Sequence, residues 1–204
     1  MRSHHLARST AFLALSASLA AAPSAQASYI VTFAQVGTDV LASGSGTIDL
    51  GGLISGATAS SAFAFVDPQI AAELSGSGSS DIYSARISGP GPFGRGVGSF
   101  TFVATGGAVG IYAIPNGEAG PELVVPHGYI SGGALADTAT YEGQTLATLG
   151  LAPGTYAYSI SGSPGDTFTI IIGGNQSAPE PASFILLGTG LLGLGLIARR
   201  RKAA

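Results

Sequence analysis

Apolar side chains return at every second residue in run after run of this chain, and that period leaves the backbone few options. Tyr29, Val31 and Phe33 alternate with Ile30 and Thr32. The same spacing joins Phe63 to Phe65, Phe100 to Phe102, Tyr156 to Tyr158 and Ile160, and Phe168 to Ile170 and Ile172. Residues two apart share one face of a strand but not of a helix. Each run is therefore expected to form a half-buried strand with the named residues on a core. Glycine makes up 32 of the 204 residues and clusters between these runs. Gly44–Gly46, Ser75–Ser80, Gly89–Pro92, Gly106–Gly107, Pro115–Gly117 and Gly132–Gly133 read as turns, and Ser161–Asp166 as a hairpin loop. Short strands joined in this way predict an all-β fold, an antiparallel β-sandwich or a flattened barrel, over residues 28–174. That length can bury a sizeable core. One stretch, Asp67–Leu74, reads as a short helix with Asp67 as its cap and Pro68 in its first turn. Ser75–Ser80 has no apolar residue to bury and is expected to be a mobile loop.

The two ends carry apolar runs of another kind. Ala11–Ala22 is uncharged, follows Arg2 and Arg8, and precedes Pro23 and the small-x-small triplet Ala25-Gln26-Ala27. This is the pattern of a secretory signal peptide over residues 1–27. Signal peptidase admits small side chains at Ala25 and Ala27, so cleavage is expected before Ser28, after passage through the Sec translocon. At the other end, Ala182–Ala198 carries no charge. At 1.5 Å per residue it reaches about 25 Å, enough for a thin hydrocarbon core. A single transmembrane helix is expected over 184–198, with the basic tail 199–204 behind it. Arg199, Arg200, Arg201 and Lys202 resist transfer across a bilayer and act as a stop-transfer signal. The expected topology in the inner membrane is single-pass, N-out and C-in. Gly188, Gly190 and Gly193 spell a dinucleotide fingerprint, but inside a uniformly apolar run they read as a smooth stripe on a membrane helix.

Between the β-rich region and the apolar segment lies a linker, 175–183, containing Pro179-Glu180-Pro181. Two prolines around one acid make a stiff, extended tripeptide that cannot join a helix. The order of this tripeptide, an apolar Gly/Leu-rich segment and an Arg cluster resembles the C-terminal region of the PEP-CTERM family of exported bacterial proteins. The resemblance covers Pro179–Ser183, the segment Phe184–Ala198 and Arg199–Lys202. It implies processing by exosortase, a membrane-embedded Cys transpeptidase, with Pro179, Glu180 and Pro181 as its recognition site. It also implies a Gram-negative source, residence at the cell surface or in the extracellular matrix, and association with exopolysaccharide and biofilm. A second resemblance, to the ectodomain of one group of these proteins, rests on Phe33–Val40, Ser43–Gly46, Tyr129–Gly132, Thr138–Tyr141, Leu149–Tyr158 and Asp166–Ile170. It implies an all-β exported domain and no known reaction.

The composition excludes several chemistries. The chain has no cysteine, so disulfides, zinc–thiolate sites and a Cys nucleophile are ruled out. Between residues 28 and 178 the acids far outnumber the bases, which are Arg86 and Arg95 alone. Such a domain does not seek nucleic acid. His127, between Pro126 and Gly128, reads as a loop histidine, and no G-x-S-x-G elbow accompanies it. The acids are scattered singly, without the spacing of a calcium loop. No catalytic residue, metal or cofactor is expected. The sequence points to an exported, non-enzymatic surface or matrix protein. The alternative is a polysaccharide-binding or adhesive β-sandwich, with exposed aromatic platforms among Tyr83, Tyr112 and Tyr129.

Overall fold

The computed structural model describes residues 27–113, 121–161 and 166–173. Among them are fourteen strands and no helix. In chain order these are β1 (Ser28–Val36), β2 (Asp39–Thr47), β3 (Ile54–Ala62), β4 (Ala64–Asp67) and β5 (Ala72–Ser75). Then come β6 (Gly78–Ser84), β7 (Arg86–Ser88), β8 (Ser99–Thr101), β9 (Ala104–Thr105) and β10 (Val109–Tyr112). The last four are β11 (Glu122–Pro126), β12 (Ala134–Tyr141), β13 (Gly154–Ser161) and β14 (Thr167–Ile172).

They form two seven-stranded sheets. The first runs β7-β13-β14-β1-β2-β12-β9 and the second β3-β6-β11-β10-β5-β4-β8. Each sheet keeps two separate edges, so the architecture is a sandwich, and the flattened-barrel alternative falls. β1 and β14 pair in parallel, from Ser28 opposite Thr167 to Phe33 opposite Ile172; the other strand pairs are antiparallel.

One core fills the space between the sheets. The first sheet sends in Tyr29, Val31 and Phe33 from β1, Tyr158 and Ile160 from β13, and Phe168, Ile170 and Ile172 from β14. These are the faces expected from the alternation. The second sheet contributes Ala64, Val66, Val109, Ile111, Leu123 and Val125. Burying each larger aliphatic or aromatic side chain is worth about 1.5–3 kcal/mol. β13 and β14 are antiparallel neighbours, as a hairpin over 161–166 requires, and the Ile160 N–H donates to the Asp166 carbonyl at 3.0 Å.

Four expectations are corrected. Residues 67–74 are not helical. Asp67 ends β4, its Oδ1 accepts the Gln69 N–H at 3.1 Å, and the chain then reverses into β5. All four residues of β5 are buried between β10 and β4, and this tertiary burial overrides the helix propensity of Ala-Ala-Glu-Leu. Ser75–Ser80 is not a mobile loop. Ser75 and Ser80 are 0% and 1% exposed and lie in β5 and β6, while Gly76 and Gly78, at φ of +72° and +109°, make the reversal between them. Gly44–Gly46 is not a turn but part of β2. Gly44 faces the core, where a Cβ would overlap the Tyr29 hydroxyl, so the glycine makes room for that ring. Finally, Phe63, Phe65, Phe100 and Phe102 do not face the core. Ala64 and Val66 point inward instead, and Phe63, Phe100 and Phe102 are exposed. The turns at Gly106–Gly107 and Gly132–Gly133 are present, and Pro115–Gly117 lies outside the described residues.

Candidate functional site

The motif residues at the two ends fall largely outside the described residues. These are Ala25, Pro179, Glu180, Pro181, Arg199, Arg200, Arg201 and Lys202, together with the expected transmembrane segment 184–198. Among the described residues no helix is long and apolar enough to cross a membrane. Ser28 is the first residue of β1, and the Ala27 carbonyl accepts the Thr167 N–H at 3.3 Å. The chain leaves β14 at Ile172, and the Gly173 N–H donates to the Phe33 carbonyl at 2.9 Å. Gly173, the last described residue, is thus pinned to the first strand.

Within the domain, three groupings carry chemistry. The first surrounds His127. β11 pairs with β6 so that Val125 lies opposite Asp81, and the turn after β11 brings His127 back over that carboxylate. His127 Nδ1 lies 2.8 Å from Asp81 Oδ1, the Gly128 N–H donates to Asp81 Oδ2 at 2.9 Å, and the Thr58 hydroxyl donates to Oδ1 at 2.9 Å. These bonds, that from His127 foremost, bring the Asp81 carboxyl down to about 2. The carboxylate orients the ring and leaves Nε2 outward, but among the described residues no seryl hydroxyl joins the pair. His127 is a surface histidine with a fixed orientation. Sequence gave no sign of Asp81, because the pairing register of β6 and β11 alone brings them together.

The second grouping is buried between the sheets. The Tyr29 hydroxyl donates to the Asp137 carboxyl, linking β1 to β12. Glu73 on β5 is 1% exposed, and neither of its carboxyl oxygens has a hydrogen-bond partner among the described residues. Burial, and then the nearby Asp137, hold Glu73 well above the ordinary value near 4.5. Burial also raises Asp137, and it raises Tyr141 together with the Glu73 charge. The grouping is one of buried acids and phenols, each pushed upward by its burial. Among the described residues no three His, Cys, Asp or Glu side chains stand together so as to hold a metal ion.

The third grouping is the outer face of the second sheet. Phe65 lies 4.5 Å from Phe100 between ring centroids and 6.2 Å from Tyr112, nearly parallel to the latter at 21°. Phe63 meets Phe102 edge-on at 5.0 Å. Beneath these rings Leu74, Ala108 and Val124 form a small apolar cluster of their own. Of the three tyrosines expected as platforms, Tyr112 belongs to this face. Tyr129 does not, because its hydroxyl accepts the Ile48 N–H at 3.1 Å and lies 3.0 and 2.7 Å from the Ile48 and Gly133 carbonyls, locking a loop. Tyr83 packs against the main core. The alternation alone points the phenylalanines of this face inward. The missed signal was Ala64 and Val66, equally compatible with a buried face.

Residues 177–202 match the PEP-CTERM protein-sorting motif. The chain carries a PEP-CTERM sorting signal. The match spans Pro179-Glu180-Pro181, the apolar segment and the Arg cluster, the same residues that carried the resemblance. A PEP-CTERM signal marks an exported protein that is held in a membrane before processing, and exosortase is the processing partner. Compared with curated proteins and with solved structures, the chain gives no match. The PEP-CTERM match covers none of the described β domain, which rests on its own geometry.

Proposed function

We propose that this PEP-CTERM protein is a non-enzymatic component of a Gram-negative cell surface or extracellular matrix, associated with exopolysaccharide. Before processing it crosses the inner membrane once, N-out and C-in, with 184–198 in the bilayer and Arg199–Lys202 on the cytoplasmic side. Signal peptidase releases the N-terminus before Ser28, and exosortase then reads Pro179, Glu180 and Pro181. The observation that carries this reading is the sorting motif at 177–202, placed directly behind an all-β domain. The reading assigns no reaction to the His127–Asp81 pair. Replacing Glu180 with Ala is expected to leave the full-length, tail-bearing form in the membrane. Intact-mass measurement of envelope and culture-fluid fractions checks this, and an unchanged mass and location of the variant counts against the proposal.

A polysaccharide-binding or adhesive role is the second reading. It is favoured by the row of aromatic rings on the outer face of the second sheet, where a folded domain gains nothing from exposing them.

A further inference from the structure

Phe65, Phe100 and Tyr112 wall a groove of about 270 Å³ that crosses the outer face of the second sheet, with Leu74 and Val124 on its floor. Three features of it bear on what it holds. The rings are flat and partly open: Phe100 is 66% exposed, and Tyr112 lies nearly parallel to Phe65. Such rings offer an apolar plane whose burial is favourable only when another surface covers it. The second feature is polar. Ser80 lines the same groove at 1% exposure, and its Oγ has no hydrogen-bond partner among the described residues. An orphaned hydroxyl at that depth is unusual in a folded protein and marks a place for a hydrogen-bonding group. The third is charge. Glu122 lines the groove, and among the described residues no lysine or arginine does.

We infer that this groove binds a polysaccharide chain that carries no acid groups. A sugar ring has apolar C–H faces that cover aromatic planes, and equatorial hydroxyls that reach groups such as Ser80 Oγ and the Glu122 carboxylate. An anionic polymer meets Glu122 and an acidic domain, with no cation among the described residues of the groove to offset them. A second copy of this chain fits less well, since a symmetric contact across the groove would desolvate Glu122 from both copies with no partner for either. The groove belongs to the sheet that does not contain β14, the strand that leads toward the sorting tail. Attachment through the tail and capture of a glycan therefore use different sheets. The inference rests on the matrix reading above for its setting, and on the groove alone for its chemistry.

The test uses the processed protein recovered from culture fluid. Affinity electrophoresis is run in gels containing hydroxyethylcellulose, dextran or galactomannan, all neutral, and in gels containing anionic alginate. Retardation is expected in at least one neutral gel and not in alginate. Phe100→Ala and Tyr112→Ala are each expected to weaken it about tenfold, a change of about 1.4 kcal/mol, while Phe100→Tyr keeps it. Unchanged thermal unfolding of Phe100→Ala excludes a folding defect. The inference is overturned by no retardation in any neutral gel, by retardation that both alanine variants retain, or by preference for alginate. A wild-type dimer that Phe100→Ala dissociates overturns it as well, by showing that a second copy fills the groove. Glu180→Ala, solubilised from the membrane, separates the two proposals: a tail-bearing variant whose processing is blocked but which no neutral gel retards sinks the groove alone, and a variant that is retarded but processed like the wild type sinks the sorting reading alone.

Discussion

Phe33 and Phe168 on the first sheet are fully buried, whereas Phe100 and Phe102 at the edge of the second are 66% and 78% exposed. All four lie in segments of period two. The sheets differ in which face carries the bulk. The first sheet fills the sandwich with rings, Tyr29, Phe33, Tyr141, Tyr158 and Phe168, and presents Thr32, Ser43, Ser45 and Thr138 along a groove on its outer side. The second sends in Ala64, Val66 and Val109 and wears Phe65, Phe100 and Tyr112 outside. Stacked sheets stand about 10 Å apart. Where one side supplies large residues the other must supply small ones, or the core is overpacked. The complementarity frees the aromatic residues of the second sheet for its outer face.

The sharpest way to break this comparison is to truncate one ring on each side. Phe168→Ala should cost about 3–5 kcal/mol, and Phe100→Ala no more than about 0.5 kcal/mol, read as urea-unfolding free energies. Equal losses would mean that the outer rings support the fold and are not spare. Next in size is Gly44→Ala, which drives a methyl into the Tyr29 hydroxyl and the link to Asp137. A loss of about 1–3 kcal/mol is expected. Tyr29→Phe removes the atom that is struck, so the double variant should lose less than the sum of the two single losses; strict additivity would show that Gly44 and Tyr29 are not in conflict.

The smallest effect is the pH dependence of the buried acids. Glu73 and Asp137 both titrate above their ordinary values in the folded state. The folded state therefore holds protons that the unfolded chain has released. Their contribution to stability is complete below the ordinary carboxylate range and is lost as pH rises through the raised folded values. Glu73→Gln removes one of these titrations, and its unfolding midpoint should fall less steeply with rising pH than that of the wild type. Parallel slopes would show that Glu73 is not the group concerned. Asp81 acts in the opposite sense. Its folded value of about 2 lies below the ordinary 3.8, so its contribution is present above that range and fades as pH falls toward 2.

Three strands of the first sheet, β1, β13 and β14, were legible because ring-bearing residues alternate there with smaller or polar ones, and burial follows bulk. In the second sheet the same alternation locates β4 and β8 but inverts their faces, since periodicity states that residues share a side and not which side is covered. Asp67–Leu74 misled for a related reason: a capping acid, a proline and good helix formers describe local preference, while four buried neighbours in β5 decide the outcome. Gly44 read as punctuation because a close approach by Tyr29, fifteen positions earlier, leaves no local mark. The tail was legible as spelling, because the motif is a contiguous run whose order alone identifies it. The aromatic groove was not, because it gathers residues from strands far apart in the chain, and of its rings the sequence pattern points Phe65 and Phe100 inward and leaves Tyr112 alone as an exposed platform.

The seating of β14 also has a mechanical meaning. It lies inside its sheet, with β1 running alongside it on one flank and β13 against it on the other. A tug delivered from the C-terminal side is directed down the axis of that strand. Two ladders then have to slip together, where an edge strand would peel away one bond at a time. A load applied from the C-terminal side thus meets β14 in shear and not as a peeling edge.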